Sequence, residues 1–223
     1  MLRVVIPCFG RPTAFAEALP EIVARVGCEA QFIVSVDGDP AIPWHAVPEN
    51  RQTSLRLGAL THVLNDHYGN GIAFTVGIAG LTGPLIKVDA DVIPSPNYGA
   101  ILLELAATAP PDVGCIVGLP RPEIPRHDAG LRRIPFGRPV PLRIALFTQA
   151  ALAAIGDHAT IQPLGEHDVL TATRLASAKL RTVYTHKVWV DKHIDTPDLE
   201  YDRWAKQYRD MRRGMMVTDA YRR

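Results

Sequence analysis

The chain is poor in the residues that would make it a disulfide-stapled or membrane-spanning protein. Three cysteines in 223 residues, Cys8, Cys28 and Cys115, are too few and too scattered for a disulfide framework. Each lies among apolar neighbours, which points to buried thiols and a reducing cytoplasm. No run reaches the roughly 18 apolar residues of a membrane-spanning helix. The apolar start from Leu2 to Pro7 is too short for a leader peptide and is broken by Pro7, so it is expected to form a first strand. Charge of one sign is also missing. A formal net charge of +1 leaves no global field to draw the chain to nucleic acid or membrane. Internal repeats and low-complexity tracts are absent. With 47% hydrophobic residues the chain can bury one sizeable core, and its length suits one domain with an appendage.

What is present alternates. Leu2 to Pro7 and Gln31 to Val36 are predicted strands, separated by a helix that Thr13 caps and that runs to about Val26. Asp37-Gly38-Asp39-Pro40 is a strong turn signal after the second strand. Leu55 to Tyr68 has a helical pattern, and Ile72 to Ala79 fits a helix or a short strand. Leu85 to Asp89 is an apolar run between Gly83-Pro84 and Pro94-Ser95-Pro96, which reads as a buried strand. A helix follows from Ser95 or Pro96 to about Ala107. This alternation argues for βαβ units and a mainly parallel sheet.

The middle of the chain changes character. Pro110 to Pro141 holds many prolines together with Arg121, Arg126, Arg132, Arg133 and Arg138, and is expected to be irregular apart from a strand at Cys115 to Gly118. Phe147 to Ile155 is helical in pattern. Gly165-Glu166-His167-Asp168 caps a helix from Val169 to Lys179, and Thr182 to Trp189 is a late strand followed by Val190-Asp191-Lys192-His193. From Leu199 a helical tail carries Trp204, Tyr208, Arg209, Arg212 and Arg213. Such interleaving can bind nucleic acid or a membrane surface, but a helix of this kind more commonly packs on its own domain.

The most telling segment is Asp89-Ala90-Asp91, where a buried strand leaves the core in two carboxylates. In an open α/β sheet, ligands bind at the carboxyl ends of the strands. Two carboxylates there repel unless a cation or a proton lies between them. Hard divalent cations take oxygen ligands and bridge to substrate phosphates. The same pair could also serve only to cap a loop.

Four motifs occur in one order: Ile6-Pro7-Cys8-Phe9-Gly10-Arg11-Pro12, Asp37-Gly38-Asp39, Asp89-Ala90-Asp91 and Gly165-Glu166-His167-Asp168. Together they resemble the nucleotide-sugar-dependent glycosyltransferases of the GT-A fold, especially the family-2-like group. The resemblance covers roughly residues 1–195. It implies a single Rossmann-like α/β domain with a mainly parallel sheet flanked by helices. The donor half would be about 1–95, the acceptor half about 96–195, and 196–223 a helical extension. It implies transfer of a hexose or pentose from a nucleotide sugar, UDP- or GDP-linked, to an acceptor hydroxyl, with inversion and with Mn²⁺ or Mg²⁺.

By that resemblance Asp91 binds the metal directly, Asp89 touches the ribose or reaches the metal through water, and His193 completes the metal site, with His186 as competitor. Pro7, Arg11, Asp37, Asp39, Lys87 and Asp89 would line the donor nucleotide. Lys87 could equally serve to shield the Asp pair. Glu166 and Asp168 are the candidate general bases, since an inverting transferase needs a carboxylate to take the acceptor proton. The family's usual pattern has Asp directly after Glu. Here His167 stands between them, which leaves open which carboxylate is the base and whether the reaction inverts. The arginines of 124–143 suggest an anionic acceptor, such as a sugar phosphate, a lipid phosphate or, less favoured, nucleic acid. Two other readings compete. One is a sugar nucleotidyltransferase, weakened because Cys8-Phe9-Gly10-Arg11-Pro12 lacks that class's glycine-rich loop. The other is a non-catalytic nucleotide-sugar-binding domain.

Overall fold

The computed structural model describes residues 1–8, 12–36, 48–63, 70–120, 131–135, 137–156 and 166–194, with backbone alone for 12–13, 48–51, 70–72 and 166–167. In chain order the elements are β1 (Leu2–Cys8), α1 (Pro12–Ala24), β2 (Ala30–Val36), α2 (Pro48–Arg56), β3 (Leu60–Val63), α3 (Asn70–Ile78), β4 (Leu85–Val88), β5 (Val92–Pro94), α4 (Tyr98–Thr108), β6 (Val113–Leu119), β7 (Arg132–Arg133), β8 (Ile144–Phe147), α5 (Gln149–Ile155), α6 (Glu166–Ser177) and β9 (Arg181–His193). Among the described residues no helix is long and apolar enough to cross a membrane.

The strands form one sheet in the order β3-β2-β1-β4-β8-β6-β9-β5, with β7 pairing β9. β1, β2, β3 and β4 are parallel neighbours, and β6 runs parallel to β9. β8 is inserted in reverse between β4 and β6, and β5 and β7 both run against β9. The half of the sheet built from the first four strands is therefore parallel, as expected, while the half built from the later strands is mixed. The chain leaves β1 outward to β2 and β3 and returns to place β4 on the other side of β1. That reversal makes a topological switch point between the ends of β1 and β4, where such sheets bind ligands.

Side-chain alternation splits the core in two. Val4 and Ile6 of β1, Ile86 and Val88 of β4 and Ile116 of β6 face the first cluster, against Phe15, Leu19 and Ile22 of α1 and Leu102 of α4. The α1 residues recur at three- and four-residue spacing, so one helical stripe covers that face. Val5, Leu85, Cys115 and Val117 face the other way, against Phe74 of α3, Ala151 and Ile155 of α5 and Leu175 of α6. Central strands buried on both faces read as continuous apolar runs, which is why they were legible in the sequence.

Several elements depart from expectation. The predicted helix over 55–68 ends at Arg56. Gly58 adopts φ 66°, and Ala59 N–H donates to the Ser54 carbonyl at 2.9 Å, a glycine-terminated helix end that turns the chain into β3. Phe147 belongs to a strand: Thr148 caps α5 by accepting from Ala151 N–H at 3.2 Å, so the helix starts two residues later than its pattern suggests. Val190 to His193 continue β9 because β5 supplies a partner there. The helical tail from Leu199 lies outside the described residues.

Candidate active site at the carboxyl edge of the sheet

β1 and β4 pair from Arg3 with Leu85 to Val5 with Lys87, so Pro7 and Cys8 at the end of β1 stand beside Asp89 at the end of β4. Pro7 is buried. Arg11, Asp37 and Asp39 lie outside the described residues, although β2 ends at Val36 on this same edge. β8, the other neighbour of β4 in the sheet, closes the edge. Asp89 N–H donates to the Arg143 carbonyl at 2.8 Å, holding the start of the Asp89-Ala90-Asp91 turn against the segment that leads into β8.

Lys87 is the most unusual side chain of the edge. Only 1% of it is exposed, and its Nζ donates to Asp89 Oδ1 and, at 2.8 Å, to the Leu142 carbonyl. A buried ammonium is tolerable only when paired and hydrogen-bonded. Asp89 provides the countercharge and Leu142 a second acceptor. Asp89 is thereby turned toward the protein, and Lys87 offsets part of the negative charge of the Asp pair.

Asp91 points elsewhere. β5 and β9 form an antiparallel ladder in which Val92 pairs with His193, and Ile194 N–H donates to the Asp91 carbonyl at 2.8 Å. This brings His193 Nε2 to 3.5 Å from Asp91 Oδ2, with both side chains partly exposed. His186 stands seven residues earlier on β9, so of the two histidines it is His193 that the fold carries to Asp91. Among the described residues no three His, Cys, Asp or Glu side chains gather into a metal cluster. The trio Asp89, Asp91 and His193 is thus present as one carboxylate–imidazole pair plus a lysine-bound carboxylate. An imidazole nitrogen and a carboxylate oxygen at this spacing suit a divalent cation that takes its remaining oxygens from phosphate and water.

α6 begins at Glu166, three residues before the predicted Val169, so the glutamate opens the helix. The Glu166 side chain is outside the described residues, and the Asp168 side chain is partly buried. Burial pushes the Cys115 thiol on β6 well above its ordinary range; Asp168 pushes it further, and Lys87 opposes. Leu175 of α6 packs in the same cluster as Cys115 and Leu85, so α6 covers the face of the sheet to which Lys87, two residues after Leu85, also belongs.

Two supporting residues had no signal in the sequence. Arg25, after α1, donates to Asp191 at 2.7 Å and to the Pro94 carbonyl at 3.2 Å. Ser95 exchanges hydrogen bonds with the Trp189 backbone, donating from N–H at 2.9 Å and accepting at its hydroxyl at 3.2 Å. Both hold β5 to β9.

No protein-family model and no curated protein sequence matches the chain. Solved structures do match. A mannosyltransferase from Pyrobaculum calidifontis, in complex with GDP-Man and Mn²⁺, superposes with a TM-score of 0.67 at 17% identity, covering 92% of this chain and 60% of that one. TarS 1–349 of S. aureus, in complex with UDP-GlcNAc, gives 0.64 at 12% identity, covering 88% and 60%. Glucosyl-3-phosphoglycerate synthase from Mycobacterium tuberculosis, in complex with Mn²⁺, UDP and glucosyl-3-phosphoglycerate, gives 0.59 at 14%, covering 93% and 77%. The chain spans 60% of a further structure of TarS 1–349 and 36% of a structure of TarS from the same organism. At these identities the likeness establishes the fold: the chain is built on the GT-A glycosyltransferase fold.

Proposed function

We propose that the chain is a metal-dependent glycosyltransferase that moves a sugar from a UDP- or GDP-linked donor to an acceptor hydroxyl. The observation that carries this reading is the convergence of Asp91 and His193, at 3.5 Å, on the edge where β1 and β4 diverge. Neighbours of the same fold were solved with GDP-Man and Mn²⁺ or with UDP and Mn²⁺, which supports the donor class and the metal.

In this reading Asp91 and His193 hold the cation, and a bound cation neutralises charge that builds on the departing diphosphate. Lys87 orients Asp89 at the end of β4 through their ion pair, and the exposed part of that carboxylate faces the donor ribose in this reading. Pro7, Arg11, Asp37 and Asp39 complete the nucleotide site. Asp168, or Glu166 two residues earlier, accepts the proton of the acceptor hydroxyl as its oxygen attacks the anomeric carbon. The bond from that carbon to the diphosphate breaks on the opposite face, so the configuration inverts.

A panel of nucleotide sugars tests this, with release of nucleoside diphosphate measured with Mn²⁺, with Mg²⁺ and with chelator. Metal-dependent release from one donor, lost in Asp91→Ala, is the expected result. Release that is indifferent to chelator and to Asp91→Ala overturns the metal site. Pyrophosphate release from a nucleoside triphosphate and a sugar phosphate overturns the transferase reading.

A further inference from the structure

Away from the donor edge, a cavity of about 340 Å³ is lined by Arg132, Arg133, Arg138 and Tyr184, with prolines and aliphatics at 134–135 and 139–141 as its walls. Its polar groups converge for structural reasons. Arg132 pairs directly with Tyr184 in the antiparallel β7–β9 ladder, so the two side chains leave the same face of the sheet. Arg133 alternates to the other face. Arg138 enters from a tight turn closed by its own N–H to the Pro135 carbonyl at 3.2 Å, with Gly137 at φ 71° as the turn's third residue. A Cβ at Gly137 would stand 3.9 Å from Ala176, so the turn rests on α6.

Burial raises the Tyr184 phenol above its ordinary range and the Arg138 charge opposes that rise, and both side chains line the same cavity. Pro135, Pro139 and Pro141 preset the backbone of the walls, so little conformational freedom remains to be lost on binding. Among the described residues no carboxylate forms an ion pair with Arg132, Arg133 or Arg138. Two guanidinium groups and a phenol hydroxyl on preset backbone are a donor set for a tetrahedral dianion.

The cavity is joined to the donor edge by a short strap. Pro139 to Pro141 form its wall, Leu142 accepts from Lys87, and the Arg143 carbonyl accepts from Asp89 N–H. A register row also connects the two, from Lys87 through Ala145 and Val117 to Tyr184. That is three inter-strand steps, about 14 Å.

We propose that this cavity binds a phosphate monoester carried by the acceptor, an inference that rests on the transferase reading above. The spacing places that phosphate remote from the reacting hydroxyl rather than on a neighbouring carbon. The strap couples the two sites mechanically, because its Leu142 and Arg143 carbonyls hold Lys87 and Asp89.

The test compares the full chain with Arg132→Gln/Arg138→Gln. Thermal shift is followed across titrations of inorganic phosphate, with ionic strength held by chloride, and separately across nucleotide sugars with Mn²⁺. Both arginines are exposed, so the variant is expected to melt with the parent when no ligand is present, and Tyr184→Phe serves as a second variant that keeps the ring. The expected result is a saturable phosphate shift in the parent, weakened about tenfold or more in the double variant, with an unchanged donor shift. Equal phosphate shifts in both proteins, or none in the parent at millimolar phosphate, overturn the proposal. If the phosphate arm behaves as expected and no donor shifts either protein, the anion site stands and the transferase reading falls. Co-sedimentation with vesicles of phosphatidic acid in phosphatidylcholine separates the sources. Binding lost in the double variant assigns a lipid phosphate, and binding of soluble phosphate without vesicle binding assigns a soluble one.

Discussion

Arg25 donates to Asp191 across 2.7 Å, although the two are 166 positions apart in sequence. The same guanidinium nitrogen reaches the Pro94 carbonyl at 3.2 Å, so one side chain beside α1 bridges both strands of the ladder that presents Asp91 and His193. Lys192 pairs with Glu17 of α1 one residue beyond Asp191. Arg25→Ala removes the bridge while leaving the core intact. The expected outcome is a loss of about 1 kcal/mol or less in urea denaturation, because the pair is partly exposed. The apparent Mn²⁺ affinity should fall by up to about tenfold, as for outer-sphere supports of other metal sites. A variant that loses stability but keeps its metal affinity would show the bridge to be structural only.

Asp91→Asn keeps the shape of the side chain and removes its charge. Donor turnover should fall by about a hundredfold or more, with a response to added Mn²⁺ only at much higher concentration. His193→Ala should weaken the metal response in the same direction, whereas His186→Ala should leave it unchanged. Steady-state rates across a Mn²⁺ series check all three.

Asp168→Asn should lower kcat by about a hundredfold or more with an unchanged donor KM, because a general base acts in the transition state and not in donor binding. Glu166→Gln run beside it decides which carboxylate carries the proton. The larger kcat loss marks the base.

The Lys87–Asp89 pair predicts an asymmetry. Asp89→Ala leaves an ammonium that is 1% exposed with only the Leu142 carbonyl, and should cost about 2–3 kcal/mol. Lys87→Met removes the buried charge and leaves Asp89, 27% exposed, in contact with water, so it should cost about 1 kcal/mol or less. Urea midpoints measure both. Equal losses would mean that the buried ammonium does not depend on Asp89.

Cysteine labelling checks the packing. Cys8 and Cys115 are buried and Cys28 is half-buried. Burial raises the Cys115 and Cys28 thiols, which lowers the reactive thiolate fraction at any pH below the raised value. At pH 8 the native chain should therefore react at Cys28 alone, more slowly than a free thiol, and at all three positions in urea. Mass spectrometry of alkylated peptides gives the count.

Much of the first half of the chain was legible because its signals are local. Buried parallel strands such as Leu2–Cys8 and Ala30–Val36 are mostly apolar, broken only by Arg3, Gln31 and Ser35, and the Gly83-Pro84 and Pro94-Ser95-Pro96 punctuation brackets the β4–β5 segment without any knowledge of its neighbours. Short strands were not legible. Ile144–Phe147 is a four-residue apolar run next to a helix, and periodicity cannot tell such a run from the helix's first turn. Leu60–Val63 hid in a helical pattern because it is an exposed edge strand with no buried face to impose alternation.

The sequence by itself determined the order of the strand-end motifs and the presence of two carboxylates where β4 leaves the core, since these follow from residue identity and near neighbours. Only the tertiary structure decided what each carboxylate contacts. Asp89 meets Lys87 because a lysine buried among apolar side chains requires a countercharge, and Asp91 meets His193 because the β5–β9 ladder brings the imidazole to it. The arginines of the middle segment were visible as charge. That Arg132 and Arg138 meet around Tyr184 depends on strand register and on one positive-φ glycine. Contacts of this kind join residues far apart in the chain, and local pattern carries no information about them.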